Sequence, residues 1–73
     1  MKLKLMRTTE IGQILTEMRK ENYLSLRDVA SQLGISHKSI VQYENGRIDV
    51  GGKNLKKLID LYGYEMDFHK KLD

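Results

Sequence analysis

The sequence predicts an all-α fold, four helices packed into one compact unit, with a short β-strand near each end of the chain. Three observations predict it. Apolar residues recur at the i, i+3, i+4, i+7 spacing in successive stretches, which aligns them along one face of a helix. Pro is absent and Gly falls between the periodic stretches, so the helices are joined by short turns and not by a flexible linker. At 73 residues the chain has room for a single core. A domain near this size buries only about 60% of the surface its unfolded chain exposes.

The first helix is expected from about Glu10 to Glu21, with Thr9 as its N-cap. Ile11, Ile14, Leu15 and Met18 share its inner face, and Gln13, Glu17, Lys20 and Glu21 share its wet one. Asn22-Tyr23 breaks the pattern. Ser25-Leu26-Arg27-Asp28 then reads as a capping box, with a hydroxyl for an orphan amide and a carboxylate near the positive end of the helix dipole. The second helix that starts there turns Leu26, Val29, Ala30 and Leu33 inward and stops at Gly34, a residue at ease in the left-handed conformation. Ile35 follows as an apolar plug, and Ser36 caps a third helix from His37 to Glu44 with Ile40 and Tyr43 inward. Asn45-Gly46 ends it, and a loop over residues 47–53 leads to a fourth helix from about Asn54 to Tyr62. Leu55, Leu58, Ile59 and Tyr62 carry that helix, and Gly63 stops it. Beyond it Tyr64, Met66 and Phe68 alternate with Glu65, Asp67 and His69, the period of a strand with one buried face, and Lys2-Leu3-Lys4-Leu5 alternates likewise. Such strands pair either with each other or across a dimer axis, since an isolated strand leaves its backbone groups unsatisfied. The chain thus divides into an N-terminal arm or strand over residues 1–9, a helical body over 10–62 and a C-terminal strand or tail over 63–73.

The charge of +3 and the pI near 9.3 are compatible with a polyanionic partner but do not demand one. With no Cys and two His, neither a disulfide nor a recognisable metal site is available, so helix packing or dimerisation must stabilise the fold. No cofactor or metal is expected. A cysteine-free chain without an apolar run of the roughly 18 residues a membrane span requires is expected to reside in the cytoplasm, with no membrane partner. Met1 to Met6 is too short for the apolar core of a signal peptide. Nor is an enzyme expected: Ser36 and His37 are adjacent, and neighbours on a helix do not face each other. His37 and His69 lack partners at ligand spacing. Val50-Gly51-Gly52-Lys53 invites comparison with a phosphate-binding loop, but Asn54 stands where Ser or Thr is required and no strand leads into it. No small-molecule substrate is therefore expected.

The second and third helices are joined by only Gly34, Ile35 and Ser36, which forces a steep crossing, and Ala30 near that crossing lets the helices approach. Such a pair holds its second helix out to enter a DNA major groove. The segment Leu24-Ser25-Leu26-Arg27-Asp28-Val29-Ala30-Ser31-Gln32-Leu33-Gly34-Ile35-Ser36, continuing His37-Lys38-Ser39-Ile40-Val41-Gln42-Tyr43-Glu44-Asn45-Gly46-Arg47, resembles the Cro/C1-type (XRE family) helix-turn-helix domain. The likeness runs without a gap from Met18-Arg19-Lys20-Glu21, and with the fourth helix it covers about Glu10 to Tyr62. The tail from Tyr62 to Phe68 is similar to a branch of antitoxin and prophage regulators in which a strand after the last helix helps to build a dimer. These resemblances imply a sequence-specific DNA-binding transcriptional regulator, a homodimeric repressor on a palindromic operator. The alternative is an antitoxin-like interaction module that binds a toxin or another protein.

Carried over by position, base reading falls on His37, Lys38 and Gln42, with Val41 available to a thymine methyl. Lys38 can donate to guanine O6 and N7, Gln42 can pair with adenine, and His37 donates or accepts according to its tautomer. The resemblance assigns phosphate contacts to Ser25, Arg27, Ser39, Asn45 and Arg47. Leu26 stands where the family often has Gln, and it cannot donate to a phosphate. Arg19 and Glu44 are implied to form an ion pair that ties the first helix to the end of the third. Dimer contacts are expected from Leu61, Tyr62, Tyr64, Met66 and Phe68, together with Leu3 and Leu5, because so small a monomer cannot bury them all.

Overall fold

Four helices follow one another: α1 (Thr8–Glu21), α2 (Leu26–Leu33), α3 (His37–Glu44) and α4 (Gly52–Leu61). The computed structural model describes residues 7–65, and no strand occurs among the described residues. The strands expected over Lys2 to Leu5 and Met66 to Phe68 lie outside them, whereas Tyr64 and Glu65 are irregular chain.

The caps that the sequence advertises set the limits of α2 and α3. Ser25 Oγ accepts from the Asp28 amide at 3.0 Å and Asp28 Oδ2 accepts from the Ser25 amide at 2.9 Å, so two orphan donors are satisfied reciprocally. These bonds hold the Asp28 carboxyl below its ordinary range, the backbone bond contributing most. Gly34 closes α2 at φ 68°, and its amide and that of Ile35 both donate to Ala30 O. Ser36 Oγ accepts from the Ser39 amide at 3.1 Å and opens α3.

The other two helices start earlier than the periodicity implies. α1 begins at Thr8, so Thr9 is not its N-cap and residues 8–9 belong to the helix and not to an arm. The cap is Arg7, whose amide donates to Glu10 Oε1 at 2.9 Å. Only the carboxylate half of a capping box works here, because a guanidinium has no acceptor. Thr8 Oγ1 donates to Asp49 Oδ1, which ties the start of α1 to the loop ahead of α4. α4 opens at Gly52 after Gly51 and ends at Leu61, with Gly63 at φ 84° just beyond. A glycine cap carries no side-chain signal, which is why Asn54 looked like the start.

The core draws on every helix: Leu15 and Met18 of α1, Val29 of α2, Ile40 and Tyr43 of α3, and Leu55, Leu58 and Ile59 of α4. Tyr62, just after α4, joins them at 3% exposure. That placement corrects the expected dimer set. Tyr62 is buried by its own protomer and has no surface to offer a second chain.

Candidate nucleic-acid interface

Because Ile40 and Tyr43 are buried, the opposite side of α3 is left at the surface. His37, Lys38 and Asn45 are exposed, while Val41 and Gln42 are half-buried between them. These five positions recur at helical spacing and form one polar face with a single aliphatic member. Ser39 is half-buried at its margin, where its hydroxyl accepts from Ser36 Oγ at 2.9 Å and keeps its own proton for a further acceptor. Arg47 lies exposed past the Gly46 turn, where its amide donates to Gln42 O at 3.0 Å. Ser25 and Arg27 are exposed at the start of α2. The Ser25 oxygen is occupied by the Asp28 amide, so only its hydroxyl proton is free to donate.

The far end of α3 is fixed from α1. Arg19 Nε donates to Glu44 Oε2 at 2.7 Å and Nη2 donates to Oε1 at 3.0 Å, a forked pair whose side chains are 12% and 9% exposed. The hydrogen bond to Glu44 holds the Arg19 guanidinium above its ordinary pKa against the opposing effect of burial. Its remaining arm, Nη1, donates to Leu24 O at 2.9 Å. One guanidinium thus links the end of α3 to the residue before the α2 cap. Thr16 Oγ1 adds a bond to Glu44 Oε1 at 3.0 Å.

Three parts of this framework gave no periodic signal in the sequence. Gly12 is the most constrained, since a Cβ there would lie 2.5 Å from Glu44 O and 2.6 Å from Tyr43 O. Only glycine lets α1 meet the end of α3 so closely. The signal that was present is a glycine inside a helix, which costs about 1 kcal/mol relative to Ala and so points to packing. Asn22 Nδ2 donates to Tyr62 O at 3.2 Å and to Met18 O at 2.8 Å, and Asn54 Nδ2 donates to Tyr43 Oη at 2.9 Å. The Tyr62 hydroxyl, by contrast, has no hydrogen-bond partner among the described residues. Burial pushes that phenol up to about 12, with the negative charge of Glu44 adding to the effect and Arg19 opposing it.

Of the remaining expected dimer residues, Leu61 is half-buried against the core and Tyr64 is exposed. Tyr64 Oη donates to Glu21 Oε1 at 2.7 Å, and this bond raises its phenol pKa. Met66 and Phe68 lie outside the described residues, as do Leu3 and Leu5.

Two short helices separated by a left-handed glycine, the second with its polar face at the surface, define a helix-turn-helix unit. The helix-turn-helix family model matches residues 15–69, and the chain belongs to that family, the Cro/C1-type domain of DNA-binding transcriptional regulators. A protein of Saccharolobus solfataricus provisionally named an HTH-type transcriptional regulatory protein is 48% identical over 50 residues, which make up 68% of this chain and 16% of that protein. A Saccharolobus islandicus protein of the same provisional name matches to the same extent. A third, from Halobacterium salinarum, is 34% identical over 55 residues, 75% of this chain and 17% of its own. The chain therefore spans about one sixth of the length of the curated relatives it matches. No helix among the described residues is long and apolar enough to cross a membrane.

Proposed function

We propose that the chain is a sequence-specific transcriptional regulator, a homodimeric repressor that reads a palindromic operator with α3. The observation that carries this reading is the surface position of His37, Lys38, Val41 and Gln42 on a helix whose other end is pinned to α1. A rigidly held helix enters a groove in one register, so its side chains meet the same base edges each time. Lys38 and Gln42 supply donors suited to guanine and adenine, His37 a switchable donor or acceptor, and Val41 a surface for a thymine methyl. Arg27, Arg47, Asn45 and the hydroxyls of Ser25 and Ser39 supply sequence-independent contacts to phosphate on either side.

Two copies related by a twofold axis set their α3 helices in successive major grooves about 34 Å apart. The contacts assigned to that axis are Leu61, Tyr64, Met66 and Phe68. Repression then follows from occupying the site against other proteins.

Titration of a labelled duplex at several salt concentrations tests the reading. A DNA reader loses affinity steeply as salt rises, because bound cations are released from the phosphates. Arg47→Ala weakens binding to every sequence alike and lowers the salt slope by about 1. Absence of saturable duplex binding at low salt would instead point to a module that binds only protein. Sedimentation showing monomer alone at high concentration would remove the dimer.

A further inference from the structure

Tyr23 is the one non-glycine residue with positive φ among the described residues. It sits in the turn between α1 and α2 at φ 56°, the left-handed region that bulky L-residues avoid. Its neighbours leave it no internal role, for it is 94% exposed and so buries almost nothing in return for the strained backbone. Glycine would satisfy this turn at lower energy. A large amphipathic side chain held in water at a strained position points to a contact made outside the chain, since strain persists where function needs it.

The surroundings of Tyr23 narrow the partner. Two residues further on lies Ser25, the cap of α2, so the two Cα atoms are at most about 7 Å apart. Lys20 and Arg27 flank the turn, both exposed, and neither forms an ion pair among the described residues. The acidic side chains nearby are engaged: Glu21 accepts from Tyr64 Oη, and Asp28 accepts from the Ser25 amide. Apart from Arg27, the side chains of the first turn of α2 give an anion little. The Leu26 side chain packs half-buried against the core and has no donor, and the Asp28 amide is already taken by Ser25 Oγ, which leaves the amides of Leu26 and Arg27 at the helix start. The lowered pKa of Asp28 keeps a negative charge at that helix end as well. A phosphate approaching this edge meets the Ser25 hydroxyl at the cap, and the exposed phenol ahead of the helix adds a further neutral donor where the Leu26 side chain supplies none.

We propose that Tyr23 is a phosphate-backbone contact of the duplex, its hydroxyl donating to a phosphate oxygen beside Arg27, in place of the contact that Leu26 cannot make. The inference rests on the DNA-binding reading above and extends its footprint by one turn. A phenol is uncharged, so the contact adds affinity for all sequences without releasing a counterion.

Fluorescence anisotropy with a labelled mixed-sequence duplex of about 20 base pairs at low salt, run beside thermal melts, separates the possibilities. Tyr23→Gly relieves the strained φ and raises Tm, yet weakens duplex binding about tenfold, so the loss cannot come from unfolding. Tyr23→Phe keeps ring and backbone, leaves Tm unchanged and weakens binding about threefold to fivefold. Both variants keep the salt slope of the parent, whereas Arg27→Ala lowers it by about 1. Parent-like binding by Tyr23→Phe and Tyr23→Gly, while the parent binds well, overturns the Tyr23 contact and leaves the DNA-binding reading intact. Failure of the parent itself to bind the duplex overturns both.

Discussion

At its C-terminal end α3 is gripped by another helix: Glu44 receives the Arg19 fork and the Thr16 hydroxyl, and the carbonyls of Tyr43 and Glu44 press against Gly12. At its N-terminal end the hydrogen bonds among the described residues are local, with Ser36 as cap and the glycine bend before it. The buried groups of the grip fix where the helix points, and the exposed side chains of His37 and Lys38 at the open end take no part in it. Substitutions within the grip should register first in stability, and those of the exposed side chains His37 and Lys38 first in binding.

The largest effect is expected from Arg19→Ala. It leaves the Glu44 carboxylate, only 9% exposed, without its cationic partner and with the Thr16 hydroxyl alone, at a cost of about 3 kcal/mol and a fall in Tm of more than about 10 °C. An unchanged melting curve would show that the grip is not energetic. Gly12→Ala comes next. Its Cβ would overlap two backbone carbonyls, which cannot rotate away, so α1 and α3 must separate at about 1–3 kcal/mol. A variant as stable as the parent would contradict the close approach.

Ser36→Ala tests the other end. Loss of the cap costs about 1 kcal/mol, visible as a few degrees in Tm, with the gripped end unaffected. Tyr62→Phe is expected to act in the opposite direction. Removing a buried hydroxyl that has no partner among the described residues gains up to about 1 kcal/mol near neutral pH. The sign of its pH dependence follows from the raised phenol pKa of about 12 against 10.0 for the free group. An acid held protonated by folding contributes stability that is present below pH 10 and is lost as pH rises from there towards 12. Melts between those limits should therefore fall more steeply for the parent than for Tyr62→Phe. Parallel curves would remove Tyr62 from the alkaline transition.

The helix limits were more legible than the grip. Ser25 with Asp28, Gly34, Ser36 and the Asn45-Gly46 pair are local signals, each satisfied within a few residues of chain, and they fixed α2 and α3 to the residue. The buried faces were legible for the same reason, since helical period is a local property. The gripped end depends on groups far apart in sequence, and there pattern alone failed: Gly12 meets Tyr43 and Glu44, and Thr16 reaches Glu44. Arg19 and Glu44 were accessible only through family resemblance. The periodicity fits Tyr62 both to the inner face of α4 and to a dimer surface, and period cannot decide between an intramolecular and an intermolecular burial. The left-handed turn at Tyr23 was hidden because the residue type argues against it.

The most direct test of this division of labour is selection of bound duplexes from a random pool with the parent chain and with Lys38→Ala, alongside a melt of each. The account predicts one palindromic consensus for the parent. For Lys38→Ala it predicts the same Tm and a consensus that relaxes at one base pair of each half-site, equivalent to about 1–3 kcal/mol of lost discrimination. An identical consensus for the two proteins, or no consensus from the parent, would contradict the claim that the exposed face of α3 reads sequence.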